Sequence, residues 1–240
     1  MDVMQARYER QVLLSEIGAE GQIRLADASV LVVGAGGLGS AVLQYLTAAG
    51  VGRIGILDGD LVSASNLNRQ ILYGSQDIGK KKAICSMEKL AQKGVDTKIT
   101  PMSEMLTAGN AIKIISGYDG VVLCVDSLEA RIIANRACVK VGIPFTDGAV
   151  NKFYGTVFTV IPGETPCYEC LHGLSVQGDE AVPVLGAMAG WIGCAEALAV
   201  IRLLLEKDGP SVGAVLFYDG LKMSVERVPA VREAGCFCCG

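Results

Sequence analysis

Positive charge is scarce in this chain. Lys and Arg number 21 against 25 Asp and Glu, for a net charge of −4, so no general basic field invites nucleic acid. A few placed cations would still suffice to meet a phosphate. Residues 1–10 carry charges and lack an apolar core, which argues against a secretory signal. A mean hydropathy of +0.42 raises the question of a membrane span, yet no run is clean enough for one. The longest uncharged stretch, residues 28–52, is broken by Gly34, Gly36, Gly37, Gly39, Ser40, Gln44 and Thr47. The second apolar stretch, residues 181–205, holds Pro183, Glu196 and Arg202, and reads as a loop running into a core helix. The expectation is a soluble cytoplasmic protein with neither nucleic acid nor membrane as partner. Internal repeats and low-complexity linkers are also missing, so one domain is expected: a nucleotide-binding half over residues 1–150 and a smaller C-terminal half over residues 151–240.

Aromatics make up only 5%, while hydrophobic residues reach 51% and glycine numbers 30. Aliphatic strands punctuated by glycine turns suit a buried parallel sheet. The pattern alternates strand and helix: strands over residues 29–33, 53–58, 96–102, 120–125 and 143–148, and helices over 38–50, 80–93 (closed by Gly94) and 127–141. Beyond that the pattern changes. Residues 152–161 alternate as a half-exposed antiparallel strand, and residues 214–220 and 221–228 read as a hairpin.

Gly34, Gly36 and Gly39 form GxGxxG between a strand and a helix, with Asp58 at the end of the next strand. Small residues there let backbone N–H groups approach a phosphate at a helix N-terminus. The spacing does not choose the nucleotide, and NAD or FAD is the default. That default leaves Ser65, Asn66, Asn68, Arg69 and the lysines at 80–82 unexplained. Lysines in the first turn of a helix work slightly against its dipole, so they are not placed for helix stability. Arg69 and one lysine instead suit a polyphosphate tail, Arg as a bidentate clamp and Lys as a point charge. A solvated loop is the alternative.

Nine cysteines in a chain without secretory features point to metal rather than disulfides. Cys167 and Cys170 form one CxxC, and Cys236 and Cys239 a second pair of the same spacing, which suits a tetrahedral thiolate zinc site. A redox pair is the alternative, and Cys238 is a spare that competes as ligand. Cys85, Cys124, Cys138 and Cys194 lie on apolar elements and read as core residues. His172, Trp191 and the seven methionines are read as a loop residue, a core residue and core packing.

"RYERQ" (7–11), "VLVVGAGGLGS" (30–40), "LDGDLVSASNLNRQ" (57–70), "IGKKKA" (78–83) and "VDS" (125–127) follow one another in the order and spacing of the ThiF/MoeB/HesA family, which the chain resembles along nearly its whole length. These are prokaryotic relatives of ubiquitin-activating enzymes. The resemblance implies a Rossmann-like, mostly parallel sheet with helices on both faces, C-terminal antiparallel strands, and a zinc knuckle made of Cys167, Cys170, Cys236 and Cys239. It implies that the chain adenylates the C-terminal carboxylate of a small ubiquitin-like sulfur-carrier protein of ThiS or MoaD type with Mg2+ and ATP. Gly37 then meets the nucleotide, Asp58 the ribose, and Asn66, Arg69 and Lys82 the phosphates. Asp126 holds magnesium, with Ser65 and Ser127 beside the nucleotide. Arg10 matches an arginine that reaches the partner subunit's ATP, implying a homodimer.

Some family members carry a nucleophilic cysteine between the first CxxC and the following helix. Residues 171–186 hold none, which resembles members that stop at the acyl-adenylate, so sulfur is expected from a separate donor. Cys194, among apolar neighbours, is expected to be buried. An NAD or FAD oxidoreductase is the rival reading and a non-catalytic partner subunit a third. The carrier, and whether it serves thiamine, molybdenum or tungsten cofactor, or cysteine synthesis, is not encoded in these motifs.

Overall fold

Residues Ser29–Val33 (β1) form an aliphatic run in which every residue is buried, as expected of a strand covered on both faces. In a computed structural model describing residues 3–93, 96–172, 183–206 and 209–240, β1 lies near the middle of an eight-stranded sheet. The others are β2 (Arg53–Leu57), β3 (Lys98–Met102), β4 (Gly120–Leu123), β5 (Phe145–Asn151), β6 (Tyr154–Val160), β7 (Ala214–Asp219) and β8 (Ser224–Pro229), in the order β3-β2-β1-β4-β5-β6-β7-β8. The first five run parallel, and β6, β7 and β8 add on antiparallel. Val33 pairs with both Leu57 and Leu123, so β1, β2 and β4 end level. The chain leaves β1 for β2 on one side and reaches β4 on the other. That reversal opens a crevice at the strands' carboxyl ends.

Among the described residues, eight α-helices accompany the sheet: α1 (Val3–Val12), α2 (Gly18–Asp27), α3 (Gly37–Ala49), α4 (Lys82–Ala91), α5 (Ala111–Ile115), α6 (Leu128–Val141), α7 (Tyr168–His172) and α8 (Gly186–Leu204). Alternate strand residues face opposite ways. Val30, Val32, Ile54 and Ile56 pack with Val42, Leu43 and Leu46 of α3 and Ala197 and Val200 of α8. Leu31, Val33, Val121 and Phe145 pack with Ile115 of α5 and Ala134 and Cys138 of α6. Both faces are therefore covered, as expected.

α8 is long and apolar enough to cross a membrane by composition. It is nevertheless a core helix: Gly193 packs against the Leu38 carbonyl and Glu196 is fully buried. Its outer face leaves Leu198 exposed.

Several boundaries moved. α4 starts at Lys82 rather than Lys80, because Lys80 turns back to Asp77; Gly94 lies outside the described residues. The hairpin turn occupies residues 220–223, where Asp219 Oδ1 accepts N–H bonds from Leu221 and Lys222. α1 and α2 were not expected: α1 has little apolar periodicity, and α2 carries two glycines. Met105 and Met223 are exposed, not core: Met105 lies on the irregular segment after β3 and Met223 on the hairpin turn.

Candidate nucleotide site and thiolate centre

The turn after β1 is shaped by two glycines. Gly34 has φ +92°, and a Cβ on it would lie 2.5 Å from the Cys124 carbonyl oxygen. A Cβ on Gly39 would collide with the Gly34 carbonyl, so the helix can start this close to the strand only without one. Gly36 is the N-cap of α3 and Gly37 its first residue, with no side chain capping the open N–H groups. That leaves a helix N-terminus ready for an anion.

The segment from Asp58 to Lys82 wraps around this turn. Asp58, at the end of β2 and 9% exposed, accepts the Ala35 N–H at 2.7 Å and the Asp60 N–H at 2.8 Å. Burial pushes its carboxyl up, opposed by the Ala35 N–H and by Lys82. Tyr73 donates to the Ala35 carbonyl at 2.7 Å, and Gln70 lies beside Gly36. The Arg69 stem passes Gly37, while its Nη1 donates to the Ser65 carbonyl at 3.0 Å and to Asn68 Oδ1 at 3.1 Å. Asn66 is half-buried in a short 3-10 turn, and its carbonyl accepts from the Arg69 N–H. The Ser65 hydroxyl turns to Ser63 at 2.9 Å. Lys82 opens α4, is buried, and contacts Asp60 Oδ2 at 2.8 Å. Lys80 and Lys89 instead hold buried Asp77. Burial would raise that carboxyl, but the Lys89 ammonium, the Gly74 N–H and Lys80 keep it well below the ordinary range.

Across the crevice, Asp126 follows β4 with an exposed carboxylate. It is not the cap of α6. Ser127 is, its hydroxyl accepting the Ala130 N–H at 3.3 Å. Gly37, Asp58, Asn66, Arg69, Lys82 and Asp126 therefore gather at the carboxyl end of the sheet's parallel strands. Arg10 does not join them. Gln11 beside it donates to the Ala49 carbonyl at 2.9 Å, at the opposite end of α3. A helix of 13 residues puts that end about 20 Å from Gly37.

Beside the middle of α6, near Asn135, four thiols converge. Cys167 Sγ lies 3.9 Å from Cys170 Sγ and 3.7 Å from Cys236 Sγ, and Cys170 Sγ lies 3.4 Å from Cys239 Sγ. A tetrahedral site with zinc–sulfur bonds of about 2.3 Å has sulfur–sulfur edges of about 3.8 Å, so the donor set and spacing fit zinc. Cys238 stands outside the four. Asn135 Nδ2 donates to its sulfur at 3.2 Å and to Glu169 Oε1 at 3.1 Å, and Arg136 clamps Glu169 at 2.9 and 2.8 Å. The His172 side chain lies outside the described residues.

A model of the ThiF family matches residues 8–238. The chain belongs to the ThiF family. It is 36% identical over 239 residues to the SAMP-activating enzyme E1 of Haloferax volcanii, covering 98% of this chain and 88% of that one. It is 38% identical over 244 residues to the sulfur carrier protein adenylyltransferase of Thermus thermophilus, covering 98% and 90%. It is 37% identical over 240 residues to the adenylyltransferase and sulfurtransferase MOCS3 of Sus scrofa, covering 98% of this chain and 53% of that one. Among solved structures, E. coli MccB with ATP superposes with a TM-score of 0.87 at 22% identity over 98% of this chain and 74% of that one, a likeness of fold.

Within this ThiF chain the motifs marked the glycines, Asp58, Arg69, Lys82 and Asp126. They missed Asp60, which pairs with Lys82, and Tyr73, which holds the Ala35 carbonyl of the glycine turn. Cys194 also differs from expectation: it is half-buried rather than enclosed, with burial raising its thiol and a hydrogen bond with exposed Tyr45 opposing that.

Proposed function

We propose that this chain uses Mg-ATP to adenylate the C-terminal carboxylate of a small ubiquitin-like sulfur-carrier protein, releasing pyrophosphate. One observation carries the reading: Arg69 and Lys82 flank the open N-terminus of α3, in a chain of the family that includes the Thermus thermophilus sulfur carrier protein adenylyltransferase. A carboxylate oxygen of the carrier bonds to the α-phosphorus, and the bond from that phosphorus to the bridging oxygen of the β-phosphate breaks. Charge builds on the phosphate oxygens, where fixed cations and backbone N–H groups lower the barrier. Lys82 is swung from Asp60 to phosphate; Arg69 and the α3 N–H groups orient the tail. Asp58 holds the ribose, and Asn66, Ser65 and Ser127 line the approach. Asp126 would hold magnesium, which neutralises phosphate charge. The chemistry asks mainly for positioning.

The carrier docks on the apolar surface of the C-terminal half, where Phe153, Tyr154, Leu221 and Met223 are exposed. Gly220 links this patch to Met188 in the first turn of α8, and Ala189 in the same turn touches Gly37. A carrier tail crossing that turn arrives at the phosphate end of the site. Arg10 acts across a homodimer that covers Leu13, Leu14, Ile23, Tyr45 and Leu198, all exposed in the single chain. Zinc closes the thiolate knuckle as a structural ion. The acyl-adenylate passes, in the cytoplasm, to a separate sulfur donor for sulfur transfer in thiamine or molybdenum cofactor synthesis.

The test is pyrophosphate exchange into ATP with a panel of ubiquitin-like carriers. Exchange is expected only with magnesium and a carrier whose terminal carboxylate is free. Exchange that persists with an amidated terminus would reject carboxylate adenylation.

A further inference from the structure

A buried ion pair lies directly beneath the Asp126 turn. Arg131, in the first turn of α6, and Asp147, on β5, are 7% and 5% exposed. Arg131 Nη1 contacts both carboxylate oxygens of Asp147, and its Nη2 donates to the Val125 carbonyl at 2.6 Å and the Gly148 carbonyl at 2.9 Å. One guanidinium thus ties together α6, the middle of β5 and the chain leaving β4. Val125 lies beyond Leu123, the last residue of β4 paired in the sheet. Among the described residues, the hydrogen bond on its carbonyl comes from Arg131. The next residue is Asp126.

Stability alone does not explain such a group. Burying two charges costs much of what their attraction returns, and apolar replacements of similar volume are often as stable. What the pair supplies is direction: a planar fork aims donors at fixed acceptors, which lysine's three mobile donors do not reproduce. We propose that Arg131 is a positioning residue, which sets the Val125–Asp126 peptide so that the Asp126 carboxylate faces the phosphate-bound cation. This rests on the role given above to Asp126. The fork's partners all belong to the fold itself, so the chain rather than the nucleotide sets the direction of the carboxylate. Removing an outer support of this kind weakens metal binding by about 10–100-fold.

The test pairs Arg131→Met with Asp147→Leu, which removes both charges and leaves neither unpaired. Thermal unfolding reports the fold, and paramagnetic resonance measures Mn2+ affinity in the presence of a non-hydrolysable ATP analogue. The expected result is a folded protein whose Mn2+ affinity falls by about 10–100-fold. Adding Asp126→Asn should then produce no further loss. Unchanged Mn2+ affinity in the folded double variant would overturn the proposal, and so would Asp126→Asn lowering affinity by the same factor with and without the fork. If Asp126→Asn has no effect in the parent protein, the placement of the cation on Asp126 fails, and this proposal fails with it. Should the apolar pair not fold, Arg131→Lys keeps the charge and loses the fork, and the same outcomes apply.

Discussion

Lys82 and Asp58 are both buried at the carboxyl end of the parallel strands, yet their substitutions should act differently. Asp58 accepts two backbone N–H groups, from Ala35 and Asp60, which fix the glycine turn and the following bend. Asp58→Ala releases both, so ATP affinity measured by calorimetry should fall at least about tenfold, with some loss of stability. Lys82→Ala and Arg69→Ala remove charge that matters most as the phosphates reorganise, so kcat should fall by about 10²–10³ while ATP affinity changes less. Equal losses in binding and kcat for all three would contradict this division. Glu196 offers a separate check, facing Asp147, Arg131 and Cys124 with its Oε1 unpartnered. Burial first, then Asp147, pushes its carboxyl well above the ordinary 4.5. The folded state therefore keeps a proton that the unfolded chain releases, so this group's stabilising effect is complete at low pH. It is lost as pH rises, by up to about 1.4 kcal/mol per pH unit, until the folded pKa is passed. Glu196→Gln cannot ionise, so its urea midpoint relative to the parent should climb between pH 5 and pH 8; a constant difference would contradict the assignment. The glycines and Asp58 were legible because their backbone roles require particular residue types at fixed offsets. Asp60 and Glu196 were not, since the groups they face stand on other elements.

Elements divide in the same way. β1 and α3 were readable because a fully apolar run, a glycine turn and Gly50 in the left-handed region, φ +83°, agree on one boundary each. α1, α2 and the short α5 gave no such agreement. β8 is exposed along its whole length, so it holds its place through pairing with β7 rather than by a buried face. The thiolate knuckle was legible as spacing alone. The structure adds that Cys238 is engaged by Asn135 of α6 instead of joining the four sulfurs. Elemental analysis should therefore find one zinc per chain, retained in Cys238→Ser and lost in Cys170→Ser. Structural zinc contributes about 10–16 kcal/mol in small isolated modules and less where a sheet already supports the fold, so the stripped protein should melt lower yet retain its parallel sheet. Zinc retained in Cys170→Ser but lost in Cys238→Ser would mean that the ligand set is wrong.

At the scale of the whole molecule, the strand order makes the site, because β1 and β4 end level on either side of the chain's reversal and bring the glycine turn opposite Asp126. Arg10 is the exception, held at the other end of α3. If it serves the neighbouring subunit, an Arg10→Ala chain mixed with an Asp126→Ala chain should recover roughly a quarter of parental activity, since random exchange makes half the dimers mixed, each with one of two sites intact. Mixtures as inactive as their parents, in dimers shown to have exchanged, would place Arg10 outside the reaction. A cysteine-bound carrier is not expected, as residues 171–186 contain no Cys and Cys194 has its thiol raised by burial. The central claim is tested most directly by the intact mass of the carrier after incubation with the protein, ATP and magnesium, followed by denaturation without reductant. The account predicts carrier bearing one AMP on its C-terminal carboxylate, lost in Asp126→Asn, and enzyme of unchanged mass. A carrier–enzyme adduct that disappears with thiol reductant and in Cys194→Ala, with no AMP-bearing carrier at any time, would contradict it.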